Sequence, residues 1–93
     1  RRYGADEGLA LGLAHYSVGE GEAMDLAMDL AGKIAENAPL SNYVMIQALA
    51  RIADMSKTDG LFAESLCAAL TQTGPDAEEG LNAFLEKRRP TFR

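Results

Sequence analysis

EEGLNAFLEKRRPTF, residues 78–92, holds a helix, its stop and a reversal of charge in one short run. Asp76, Glu78 and Glu79 stand where the positive end of a helix dipole favours acids. Leu81, Phe84 and Leu85 fall on one face, and Lys87, Arg88 and Arg89 follow where cations suit the negative end. Pro90 stops the helix. Residues 3–86 contain all 14 acidic residues but only three basic ones, Lys33, Arg51 and Lys57, whereas the last seven residues hold four cations and no acid. The dipole accounts for one or two of those cations, at ~0.3 to 1 kcal/mol each. The surplus, flanked by Phe84 and Phe92, has the chemistry an anionic ligand with a flat ring requires: ammonium or guanidinium groups for phosphates and an aromatic surface for the ring. Gly80 inside the predicted helix costs ~1 kcal/mol relative to alanine, which points to a close approach there.

Upstream, the periodicity predicts four more helices and an all-α chain. Residues 5–11, ADEGLAL, read as a short helix stopped by Gly12. Tyr16 and Val18 alternate as in an edge strand, and GEGE at 19–22 is a turn. In the helix read from Glu20 to Asn37, apolar positions 24, 27, 28, 31, 34, 35 and 38 follow helical spacing opposite Asp25, Asp29, Lys33 and Glu36. Asp29 and Lys33, four apart, contribute ~0.3 kcal/mol to that helix, and Pro39 is read as its end. Ser41 is expected to cap a third helix running to about Met55. Its apolar residues cover most of the circumference and leave a polar stripe of only Gln47, Arg51 and Asp54. A helix apolar on so many sides is normally buried between layers, and so short a chain has few layers. It is expected to pack against further protein or a second subunit. Ser56 or Thr58 starts the fourth helix, with Phe62, Leu66, Ala69, Leu70 and Thr73 read as one face, and TGPD breaks it.

Ninety-three residues allow one domain at most. Apolar content of 47% and charged content of 25% are those of a globular chain. No apolar run approaches the ~18 residues needed to span a bilayer, so a cytoplasmic protein without a membrane partner is expected. A net charge of −5 argues against nucleic acid as a partner. The single cysteine, Cys67, cannot form an internal disulfide.

No residue pattern here declares a catalytic machine. His15 is the sole histidine and has no ligand or partner at a recognisable spacing, so no metal site is expected. Cys67 lacks neighbouring cations and reads as a small buried hydrophobe. Asp25 with Asp29, and Glu78 with Glu79, read as solvated charges and dipole partners before general acids or bases. Phosphate-loop, dinucleotide and nucleophile-elbow motifs are absent from the sequence.

The phrase at 78–92 resembles the ending of the enoyl-CoA hydratase/isomerase (crotonase) superfamily, whose members commonly finish in EG, two or three residues, then FxEKRxPxF. Three upstream stretches resemble the family in order and spacing. ADEGLALGLAHYSV is similar to AxEAxxLGLVxxVV, AMDLAMDLAGKIAENAPL to a long helix ending in IAxxxPL, and IADMSKTDGLFAES to DMSLEEGLxxE. The chain departs where the family often has a lysine in the third helix, replaced by Ile46 and Gln47. Ala68 stands where some hydratases carry an aromatic residue against CoA.

This resemblance implies that residues 1–93 form the C-terminal helical domain of such a protein, whose β-β-α spiral core is not in this chain. Residues 1–19 would be a short helix and junction to that core, and residues 20–93 a trimerisation and CoA-closing segment. The missing initiator methionine agrees with a fragment. Parent chemistry would be hydration or isomerisation of enoyl-CoA thioesters by enolate stabilisation, with oxyanion-hole amides and catalytic glutamates supplied by the core. This chain is therefore expected to have no catalytic residue of its own and to be inactive alone. Carried over by position, Lys87 is expected at the CoA phosphates and Phe84 beside the acyl-CoA, with Arg88 a further CoA-binding residue. No cofactor is implied beyond coenzyme A as part of the substrate. The expected partners are an acyl-CoA thioester and copies of the same chain, as a trimer or dimer of trimers. On residue types alone an alternative stands, a small helical interaction module whose apolar third helix docks a partner and whose basic tail is only a cap.

Overall fold

The computed structural model of the chain describes residues 1–92, so Arg93, the last cation of the tail, lies outside the described residues. Among the described residues five helices follow one another: α1 Ala5–Ala10, α2 Ala23–Ala35, α3 Pro39–Ala53, α4 Lys57–Gln72 and α5 Pro75–Leu85. No strand occurs among the described residues, and Tyr16 and Val18 lie in irregular chain. The all-α expectation holds. The chain divides into two compact units, residues 1–32 and residues 33–93.

In the first unit, α1 carries Asp6 and Glu7 in its first turn and ends as its sequence suggests. Gly12 adopts φ 75, and the Gly12 and Leu13 amides donate to the carbonyls of Leu9 at 3.1 Å and Gly8 at 2.9 Å. This paired bonding past a left-handed residue is a Schellman stop, and glycine takes that conformation without steric penalty. His15 is exposed. Gly19 and Glu22 prepare the start of α2, the Glu22 carboxylate accepting from the Gly19 amide at 3.0 Å.

In the second unit, Pro39 is not what ends α2, which stops at Ala35. The proline is the first residue of α3, where its missing N–H is no loss because that group would have no helical partner. The helix accordingly starts before Ser41, which caps nothing. Asn42 in the first turn instead donates from Nδ2 to the Ile34 carbonyl at 2.9 Å, an acceptor in the last turn of α2 that also takes the Asn37 amide at 3.1 Å. Ser56 caps α4 as read, its hydroxyl accepting from the Asp59 amide at 3.2 Å.

Helix α3 packs on α4, and α4 touches α5. The faces that make these contacts are the small ones. Gly60 is buried at the α3–α4 approach, where an added Cβ would stand 3.4 Å from Ile52 Cγ2. Ala63 and Cys67 continue that face, half-buried, and with Tyr43, Val44, Ala48 and Ile52 they line an apolar groove of about 280 Å³. The apolar face of α4 that carries Phe62, Leu66 and Leu70 is exposed. The same holds in α5, where Ala83 is 1% exposed while Leu81, Phe84 and Leu85 face outward. Tyr43, Met45, Ile46 and Leu49 of α3 are exposed too, Ile46 at 75%. Ala83 is the one hydrophobic residue buried outright among the described residues. A chain that leaves this much apolar surface open has built helix contacts without building a core of its own.

Candidate functional site

Helix α5 and the reversal that follows it form the candidate site. Pro75 opens the helix at its first position, with Asp76 and Glu78 in the first turn. The helix ends at Leu85, before the basic run rather than within it. The Lys87 amide donates to the Phe84 carbonyl at 3.2 Å and the Arg88 amide to the Ala83 carbonyl at 3.0 Å, the same Schellman stop that closes α1. Here the left-handed residue is a lysine, Lys87, with φ 54. For a residue with a Cβ that conformation costs roughly 1–2 kcal/mol. The expectation of cations on the last helical turn is therefore corrected: Lys87, Arg88 and Arg89 lie beyond it, because hydrogen bonding at Ala83 and Phe84 turns the chain back.

After the turn, the tail runs back along α5 and is tied there at three points. Arg88 gives its fork to Glu79, Nη1 to Oε1 at 2.5 Å and Nη2 to Oε2 at 3.1 Å. Its Nε reaches Glu86 Oε2 at 2.5 Å. Glu79 Oε1 also accepts the Thr91 amide at 2.9 Å, so one carboxylate holds both ends of the returning segment. Phe92 then lies over Gly80, where a Cβ would stand 3.7 Å from its ring edge. That is an ordinary van der Waals distance, so the expected close approach at Gly80 is not found. Arg89 stands 3.9 Å from Glu36, an exposed pair of little energetic weight.

The electrostatics follow from the contacts. Hydrogen bonds from Arg88, and secondarily from the Thr91 amide, lower the Glu79 pKa to about 2. The hydrogen bonds that Arg88 donates to Glu79 and then to Glu86 raise its own pKa above the ordinary value. Arg88 is thus a neutralised strut. Lys87 is exposed, and no hydrogen bond or ion pair of its side chain occurs among the described residues. Phe84, one turn before the reversal, is 79% exposed. An ammonium and an aromatic ring standing free beside a pinned turn suit the phosphates and the flat or apolar part of a ligand.

Sequence position already brings Lys87, Phe84 and Arg88 together. Glu79 was missed as part of the site, being read as a dipole partner, and no local signal marks a pair nine residues apart. Cys67 is free and half-buried in the α3–α4 groove. No group of three or more potential metal-ligating side chains occurs among the described residues.

The model of the enoyl-CoA hydratase/isomerase family matches residues 1–93. The chain belongs to that family. The (E)-benzylidenesuccinyl-CoA hydratase of Thauera aromatica is 37% identical over 89 residues, covering 96% of this chain and 35% of that protein. The methylmalonyl-CoA decarboxylase of Escherichia coli is 32% identical over 91 residues, covering 95% and 34%. Among solved structures, an enoyl-CoA hydratase from Polaromonas sp. JS666 superposes over 100% of this chain and 36% of its own with a TM-score of 0.91 at 25% identity. The chain thus spans about a third of the length of the enoyl-CoA hydratase/isomerase relatives it matches. No helix among the described residues is long and apolar enough to cross a membrane.

Proposed function

We propose that this chain is the C-terminal helical region of an enoyl-CoA hydratase/isomerase-family protein, where it mediates homotrimerisation and closes the acyl-CoA site. Lys87 contacts the CoA phosphates, Phe84 lies beside the bound acyl-CoA, and Arg88 serves the same site by holding the turn that carries Lys87. The parent reaction is hydration or isomerisation of an enoyl-CoA thioester, in which backbone amides stabilise the enolate oxygen. Those amides and the catalytic carboxylates belong to parts of the family fold outside residues 1–93, and no acid of this chain is given their role. The protein acts in the cytoplasm and uses no cofactor beyond the CoA of its substrate.

The observation that carries this reading is Lys87 itself. A lysine occupies the left-handed position that ends α5, where glycine would be free of strain, and its ammonium is exposed next to Phe84. A cation kept at a strained position is explained by a ligand that needs it there. In the full-length protein, Lys87→Ala should weaken acetyl-CoA binding about tenfold, the scale of one charge-assisted phosphate contact. Calorimetric titration reads this directly, and unchanged affinity would reject the CoA role.

A second reading is favoured by the outward face of α3. Tyr43, Met45, Ile46 and Leu49 suit a module that docks a partner helix and has no CoA role. Under the leading reading these residues meet the parent core and adjoining subunits. Sedimentation of the full-length protein as a trimer, reduced by Ile46→Asp, supports the first. A monomer that binds no acyl-CoA supports the second.

A further inference from the structure

With Lys87 taken as the phosphate contact, we infer that Glu79 is a positioning residue for acyl-CoA, holding the turn that aims Lys87 although it never meets the ligand. Glu79 fixes the chain on the far side of Lys87 twice, through both nitrogens of the Arg88 fork at 2.5 and 3.1 Å and through the Thr91 amide at 2.9 Å. The near side is fixed by the helix, through the Ala83 and Phe84 carbonyls. Lys87 is the residue between these anchors, at φ 54. A residue with a Cβ keeps that conformation only where its surroundings impose it, and the Glu79 contacts are the side-chain part of that imposition. The same contacts pair Arg88 with carboxylates and leave Lys87 exposed at the turn, with Arg89 only weakly paired to Glu36 beyond it. The consequence runs against simple charge counting. Removing the negative charge of Glu79 makes the site more positive, which by Coulomb attraction alone tightens an anion. If Glu79 aims Lys87, its removal loosens the anion instead.

The test compares acetyl-CoA with S-acetylpantetheine, which keeps the thioester and its arm but carries no phosphate, binding to the full-length protein as wild type, E79Q and K87A. The ratio of the two dissociation constants is the readout. It does not change with the fraction of protein folded, because only folded protein binds either compound. E79Q should lower the preference for acetyl-CoA by roughly fivefold, a coupling expected of residues sharing one network, with S-acetylpantetheine unaffected. E79Q combined with K87A should lower it no further than K87A alone. An unchanged or increased preference in E79Q, while K87A lowers it, overturns the positioning role and leaves the Lys87 contact standing. No change in K87A rejects the phosphate contact and the role of Glu79 with it.

Discussion

Glu79 and Arg88, nine residues apart, face each other through two parallel hydrogen bonds because the chain reverses at Lys87 between them. In a continuing helix, positions nine apart would stand more than two turns from each other. The pair is therefore a measure of whether the tail is folded back. Glu79 titrates at about 2 rather than its ordinary 4.5, chiefly because Arg88 donates to it. A depressed carboxylate pKa stabilises the folded arrangement above the ordinary value and loses that contribution as pH falls from 4.5 through about 2. The tail should stay docked at pH 5 and release toward pH 2. Carbon-13 titration of the Glu79 carboxyl checks this, and a midpoint near 4.5 would mean the pair does not form in solution.

Lys87→Gly separates strain from function. Glycine takes a positive φ without the Cβ penalty, so unfolding stability should rise by about 1 kcal/mol, while acetyl-CoA affinity falls. Parallel urea and calorimetric titrations of the full-length protein would show opposite signs. A stability loss would mean that Lys87 is not strained.

At Gly80 the outcome depends on size. An alanine Cβ would meet Phe92 at 3.7 Å, an ordinary contact, and should add up to about 1 kcal/mol of helix stability. Gly80→Leu should displace the ring and cost about 1 to 3 kcal/mol, as overpacking does. Equal denaturation midpoints for the two variants would place Phe92 elsewhere.

Ser56→Ala removes the acceptor of the Asp59 amide and should cost about 1 kcal/mol, with the urea midpoint lowered and the slope unchanged. Ser41→Ala, by contrast, should change little, since α3 begins at Pro39 and Ser41 is not its cap.

The sequence by itself determined which stretches are helical and how several of them end. The periodicity of α2, the hydroxyl of Ser56 and the freedom of Gly12 act within a few residues, and local chemistry is legible in local order. It also put Lys87, Phe84 and Arg88 in one neighbourhood. Tertiary structure decided what the apolar residues face. Leu81, Phe84 and Leu85 share a helical face in any reading, but spacing does not say whether that face turns inward, and here Ala83 is buried in their place. It decided the end of α5 as well, since the dipole favours cations on a last turn and the Schellman bonds stopped the helix before reaching them. The Glu79–Arg88 clamp belongs to the same class. Its members become neighbours only when the chain folds back, and that reversal depends on one strained lysine held from both sides.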